Sequence, residues 1–180
     1  IKKWQDYHAD SSIIITGNDI VEYMRVVLKA IEQFEPELAK STVHLTHGMV
    51  RMADGAKMSS RRGNILRAED VIDSARRANK DKNNHESDDT VLGAVKYAFL
   101  KSGMGGDIAY DPNESVSIHG NSGPYLQYAH ARACSILTKA PKPDQQRVSE
   151  YEPYERSLAR KISEYPEVIE KATAELMPHH

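Results

Sequence analysis

The run Ser12-Ile13-Ile14-Ile15-Thr16 passes directly into Gly17-Asn18-Asp19, and this junction constrains the fold more than any other part of the chain. An apolar run rich in β-branched residues suits a buried strand, and the glycine ends it. Asn18 and Asp19 are both good helix N-caps. After them Val21, Met24, Val27, Leu28, Ile31 and Phe34 recur at helical spacing, and Pro36 closes the segment. Val43-His44-Leu45-Thr46 then reads as a second strand. The intervening helix permits parallel pairing of the two strands. In an open parallel sheet, ligands sit beyond the carboxyl ends of the strands. The Gly17-Asn18-Asp19 turn and the segment His47-Gly48-Met49-Val50 both occupy that place. Gly48 lets a flat ring approach the backbone, and Met49 offers it a polarizable surface. Asn18 and Asp19 read equally well as plain caps, and structural roles are favoured for His44 and His47.

A second feature follows within ten residues. Lys57-Met58-Ser59-Ser60-Arg61-Arg62-Gly63-Asn64 puts three cations, two hydroxyls and a glycine into eight residues, after Ala53-Asp54-Gly55-Ala56. Small residues before it and Gly63-Asn64 behind it argue for a mobile loop. Such a loop brings N–H groups, O–H donors and point charges onto one anion, a nucleotide triphosphate being the obvious one. From the loop alone, a solvated basic turn is an even alternative. Residues 67–77 continue as a helix with acidic residues first and Arg76-Arg77 last, matching the helix dipole. Its N-terminus faces back towards the loop, which again suits phosphate.

Residues 79–89 contain no hydrophobic residue and read as an exposed linker. Val91, Leu92, Val95, Ala98 and Phe99 form a helical stripe. Asp107–Asp111 and Ser115–Ile118 alternate like a hairpin or two short extended strands around Pro112-Asn113. Asn121-Ser122-Gly123-Pro124 is a helix start with proline near its first position. In that helix Leu126, Ala129, Ala133, Ile136 and Leu137 form the expected buried stripe. Tyr125, Tyr128 and Arg132 share another face, which can stack on bases and reach phosphate; packing on a neighbouring domain explains the same residues and is favoured. Two further amphipathic helices are expected either side of Pro166. The fold class is therefore a nucleotide-binding α/β unit, Rossmann-like with a partial parallel sheet, followed by an all-α helical bundle. Its expected parts are 1–78, a connecting segment 79–120, and 121–180.

Composition removes several function classes. A formal net charge of −2 rules out nucleic-acid binding by bulk positive charge, though not by a local patch. The longest pure apolar run is Ile13-Ile14-Ile15, too short for a membrane span. The single cysteine, Cys134, excludes an internal disulfide and any cysteine-based metal site, and suits the reducing cytosol. With no initiating methionine and an end at His179-His180, native or tag, the chain reads as an internal stretch of a longer protein. Strands lacking partners would leave sheet edges open to association.

Lys57-Met58-Ser59-Ser60-Arg61 resembles the KMSKS signature of class I aminoacyl-tRNA synthetases. The segment from Gly120 to Arg132, Gly-Asn-Ser-Gly-Pro-Tyr-Leu-Gln-Tyr-Ala-His-Ala-Arg, is similar to the one by which arginyl-tRNA synthetases enter their helical anticodon-binding domain. The second motif is far more specific, and the order of the two agrees with that family. The resemblance extends over nearly the whole chain.

It implies ATP-dependent activation of L-arginine and transfer to tRNA(Arg), in the cytoplasm, by a monomeric parent, with Mg2+ as counter-ion of ATP and no dedicated metal site. Lys57, Ser59, Ser60 and Arg61 would act on the departing phosphates, Lys57 and Met58 with His47, Gly48, Met49 and Val50 would hold ATP, and Asn18 and Asp19 would lie near the amino-acid pocket. Tyr125, Tyr128 and Arg132 would face tRNA. Two departures stand out. The second lysine of the signature is Ser60 here, and an arginine nearby replaces a point charge only as a planar fork. The HIGH motif is absent from these 180 residues, so the chain by itself is expected to be inactive. A related synthetase such as the cysteinyl enzyme, and a non-catalytic tRNA-binding module of synthetase origin, are the alternatives.

Overall fold

The computed structural model describes residues 1–52, 67–84, 86–141 and 150–180. The stretch from Lys57 to Arg61 lies outside these residues. The described chain falls into two compact units, one holding residues 1–52 with Ser102–Tyr110 and the other residues 67–101 and 111–180.

In the first unit, helix α1 (Lys2–Tyr7) precedes strand β1 (Ser12–Gly17). A 3-10 turn, Asn18–Ile20, leads into α2 (Val21–Glu32), and α3 (Pro36–Ser41) precedes β2 (Thr42–His47). The expected crossover is present: β1 and β2 pair in parallel, from Ser12 opposite Thr42 to Gly17 opposite His47. Their carboxyl ends are therefore level. A cross-strand contact of 2.8 Å between Thr16 Oγ1 and His44 Nε2 gives that histidine a structural role.

The apolar stripe of α2 packs with α3 and α1. Met24 and Leu38 are buried, and together with Trp4, Ile14, Val27 and Leu28 they line a small cavity of about 140 Å³. Pro36 does not merely end the α2 segment; it begins α3, where its missing N–H would have no helical partner anyway. Asn18 and Asp19 do not cap α2. The residues preceding the 3-10 turn and α2 make no side-chain capping bond, because the turn takes up the chain before the helix begins.

Two short strands were not expected as a pair. β3 (Val50–Met52) and β4 (Ile108–Tyr110) run parallel, with Val50 opposite Ile108 and Met52 opposite Tyr110. Of the hairpin or two short strands expected here, only the first strand forms, as β4, and residues 115–118 are not extended. Asp111 instead accepts from the amides of Asn113 and Glu114 and starts a short helix, α6 (Pro112–Ser115). An Asp-Pro junction favours an N-cap with proline at the first helical position over a strand turn.

The second unit is helical: α4 (Ala68–Asn83), α5 (Asp88–Leu100), α6, α7 (Gly123–Lys139) and α8 (Pro153–Glu175). Helix α4 runs well into the stretch read as an exposed linker. Its last-turn cations are Lys80 and Lys82, and Asn79 is buried. Asn83 Nδ2 bonds Asn79 Oδ1 at 2.8 Å and the Val116 carbonyl at 2.9 Å. A polar composition hid this helix because its inward positions are filled by asparagines with partners. Ala75, Ala78, Val91, Ala94 and Val116 make the core.

The start of α7 is built as expected. Ser122 accepts from the Tyr125 amide at 3.3 Å and donates to the Ser117 carbonyl. The expected buried stripe is not buried: Leu126, Ile136 and Leu137 are exposed. The contact surface of α7 lies at its first turns instead, where Gly123 meets α5. A Cβ on Gly123 would stand 2.4 Å from the Gly93 carbonyl oxygen. Nor do two helices flank Pro166, which sits inside the single helix α8. A proline removes one amide donor and crowds one carbonyl, and the helix formers on either side carry α8 through it. Tyr154, Leu158, Ile162 and Tyr165 of α8 are exposed.

Two outcomes test these packing statements. Gly123→Ala should lower stability by about 1–3 kcal/mol in chemical denaturation, the usual range for overpacking. At the head of α4, Asp70 accepts from the Arg67 amide at 2.9 Å, and this bond, ahead of the Arg67 side chain, lowers its pKa. A depressed carboxylate stabilises the fold above its unfolded pKa and loses that contribution as pH falls through the folded value. Asp70→Asn should therefore lower Tm at neutral pH, with the difference from the native chain vanishing under acid conditions.

Candidate functional site

The level ends of β1 and β2 bring the Gly17–Asp19 turn and the start of the 47–50 segment to one edge of the first unit. A third piece of chain lies there, one that periodicity did not reveal. Residues 103–107 cross this edge: the Gly105 amide donates to the Thr46 carbonyl at 3.1 Å, and Asn18 Nδ2 donates to the Gly105 carbonyl at 2.6 Å. Asn18 is thus the bracket that ties the β1 turn to this loop. Asp19 folds back, its Oδ1 standing 2.6 Å from where a Cβ on Gly17 would be.

The next residues fix the 47–50 segment. Gly48 lies so close to the loop that a Cβ would stand 2.2 Å from the Gly106 carbonyl oxygen and 2.4 Å from the Asp107 nitrogen. Only glycine admits that approach. The Met49 amide donates to Asp107 Oδ1 at 2.8 Å, and the Met49 carbonyl accepts from the Ile108 amide at 2.9 Å. Arg51 reaches the other carboxylate oxygen at 3.0 Å. Gly105, at φ +81°, makes the bend that lets these contacts form. His47 stands at the rim, its Nδ1 2.8 Å from the Gly48 carbonyl oxygen. Met49 is 44% exposed. The sequence signal for the 103–107 loop is the glycine density of Gly103-Met104-Gly105-Gly106.

The second unit carries the other expected cluster. Tyr125 and Tyr128 are exposed on α7, and Arg132 Nη1 donates to Tyr128 Oη at 2.9 Å. The residues interleaved with them point to α5: Asn121 bonds the Tyr97 hydroxyl, and Gln127 Nε2 donates to the Asp89 carbonyl at 3.2 Å. The motif therefore divides by role. Asn121, Ser122, Gly123 and Gln127 build the junction, whereas Tyr125, Tyr128 and Arg132 are left on the surface. Among the described residues, no group of three or more His, Cys, Asp or Glu side chains is arranged to hold a metal ion. No helix among them is long and apolar enough to cross a membrane.

With this geometry in place, comparison with known proteins adds the following. Residues 1–107 match the model of the class I tRNA synthetase (R) catalytic domain, and residues 126–180 match that of the DALR anticodon binding domain. The arginine–tRNA ligase of Clostridium perfringens is 38% identical over 144 residues, covering 74% of this chain and 25% of that protein. That of Flavobacterium psychrophilum is 33% identical over 194 residues, 99% of this chain and 32% of its own length. The chain thus spans about a quarter to a third of the curated relatives it matches. Among solved structures, Thermus thermophilus arginyl-tRNA synthetase superposes with a TM-score of 0.74 at 30% identity, over 95% of this chain and 30% of that one. The Plasmodium falciparum arginyl-tRNA synthetase shares the fold, with a TM-score of 0.67 over 95% of this chain and 31% of its own at 19% identity.

The clamp on Gly48 has a direct test. Gly48→Ala should speed amide hydrogen exchange at Met49 and Ile108, because a methyl group there must push the 103–107 loop away. Unchanged protection at both amides would mean that the close approach is not needed.

Proposed function

Because the chain belongs to the arginyl-tRNA synthetase family of class I, we propose that it is the segment of such an enzyme that holds part of the ATP site and the entry to the tRNA-binding domain. The observation that carries this reading is the meeting, at the level ends of β1 and β2, of a glycine-permitted backbone edge and an exposed methionine, directly before the Lys57–Arg61 signature. The parent protein would activate L-arginine with ATP and transfer it to tRNA(Arg), in the cytoplasm.

Within that reading, His47, Gly48, Met49 and Val50 border the adenine. Lys57 and Met58, with Ser59, Ser60 and Arg61, face the phosphates. When bound as its magnesium complex, ATP supplies an α-phosphate for attack by the arginine carboxylate, with pyrophosphate leaving. Lys57 and the serine hydroxyls hold the negative charge that builds on the leaving group. One donor placed this way is worth roughly 2.7–4 kcal/mol, or about 10²–10³ in rate. Asn18 contributes to the amino-acid side by holding the turn that carries Asp19, its own amide being engaged with Gly105. Tyr125, Tyr128 and Arg132 offer tRNA two stacking faces and a cation.

The functional division 1–78, 79–120 and 121–180 belongs to the same proposal, although the compact units cut the chain differently by returning Ser102–Tyr110 to the first. We further propose that these 180 residues, lacking a His-x-Gly-His string, do not activate arginine unaided. Among the described residues the β1–β2 pair has open edges, and these, with Ile13 and Ile15 of β1 exposed, favour self-association of the isolated chain.

Pyrophosphate exchange tests the reading. A full-length protein containing this chain should catalyse arginine-dependent ATP–pyrophosphate exchange, and Lys57→Ala should slow it by at least about tenfold. A rate unchanged by that substitution would remove Lys57 from the mechanism. On size-exclusion chromatography the isolated chain should elute as an oligomer, and a clean monomer would exclude edge pairing.

A further inference from the structure

We propose that Asp107 is a positioning residue for nucleotide binding: from outside the 47–50 segment, its carboxylate sets the backbone of Met49 and the strand that follows. This rests on the reading of residues 47–50 as the adenine edge.

The geometry is specific. Asp107 Oδ1 accepts from the Met49 amide at 2.8 Å while Oδ2 accepts from Arg51 Nη2 at 3.0 Å. Arg51 lies two residues beyond Met49, and its guanidinium reaches the carboxylate oxygen that the Met49 amide leaves free. One carboxylate therefore spans both. The next residue along, Ile108, uses its amide to hold the Met49 carbonyl at 2.9 Å. Both polar backbone groups of Met49 are thus taken by consecutive residues of a segment 58 positions away. Behind them, Gly48 is pressed against the Gly106 backbone with no room for a side chain, so the segment has little freedom to slide.

Magnitudes separate positioning from simple stabilisation. The Arg51–Asp107 pair is exposed on both sides, at 51% and 52%, and exposed ion pairs contribute little to stability. The charge-assisted bond to a backbone amide is the stronger of the two, and what it fixes is the orientation of the Met49 peptide. Loss of Asp107 should therefore be felt by the ligand that lies on that peptide more than by the fold.

The test is a pair of variants in the full-length synthetase that contains this chain. Asp107→Ala should raise the KM for ATP in pyrophosphate exchange by about tenfold, with the KM for arginine changed less than about twofold. Asp107→Asn keeps an oxygen for the Met49 amide and should restore the KM for ATP to within about threefold of the native value. Hydrogen exchange at the Met49 amide should be fast in Asp107→Ala and slow in Asp107→Asn. The proposal is overturned if the alanine variant leaves the KM for ATP unchanged, raises both KM values alike, or leaves Met49 protected, or if the asparagine variant is as damaged as the alanine one. Loss of the nucleotide reading itself shows differently, as a Lys57→Ala enzyme with unaltered exchange.

Discussion

The first unit depends on a return of the chain. After β3 the polypeptide builds α4 and α5, and only then do residues 102–110 rejoin the strands they complete. Without that return, β3 has no partner among the described residues, Gly48 faces nothing, and Asn18 and Met49 lose their bonds. The contact is possible because glycines stand on both sides of it. Gly48 and Gly106 let two backbones approach more closely than any side chain allows. An edge made in this way is backbone on backbone.

The second unit uses the same device. Gly123 at the head of α7 meets the Gly93 carbonyl of α5, and Ser122 and Asn121 fasten the turn before it. A motif that reads as one block in sequence thus separates into residues that fasten α7 to α5, with Ser122 and Gly123 buried, and exposed Tyr125, Tyr128 and Arg132. The exposed set is the part free to meet a partner. Further along, Leu126, Ile136 and Leu137 of α7 and Leu158 and Ile162 of α8 are exposed despite their helical spacing. Periodicity identifies a face suited to burial; it does not say which neighbour buries it.

Much of the architecture was legible. The β1–α2–β2 unit, the helices α5 and α7, and the start of α7 at Asn121-Ser122-Gly123-Pro124 follow from apolar spacing, glycine breaks and a proline near the first helical position. The errors have distinct physical sources. Helix α4 extends past Asn79 because asparagines with partners can fill inward positions that a hydrophobicity count ignores. The proposed hairpin became α6 because Asp111 satisfies the first amides of a helix. Pro166 stayed inside α8 because a long helix tolerates one missing bond. Asn18 proved to be a tertiary bracket, since its amide found a carbonyl 87 residues away instead of the helix start beside it.

By itself the sequence pointed to most of the local elements, allowed the parallel pairing of β1 with β2, and indicated the family, through two motifs in a fixed order. These depend on residues close together in the chain, where spacing translates directly into geometry. Only the tertiary structure decided that β3 pairs with β4, that residues 103–107 lie across the strand ends, and that Asp107 holds Met49. Those contacts join segments about sixty to ninety residues apart through single hydrogen bonds and glycine approaches. Such contacts leave no periodic trace, because each is set by where the backbone returns and not by what precedes or follows it.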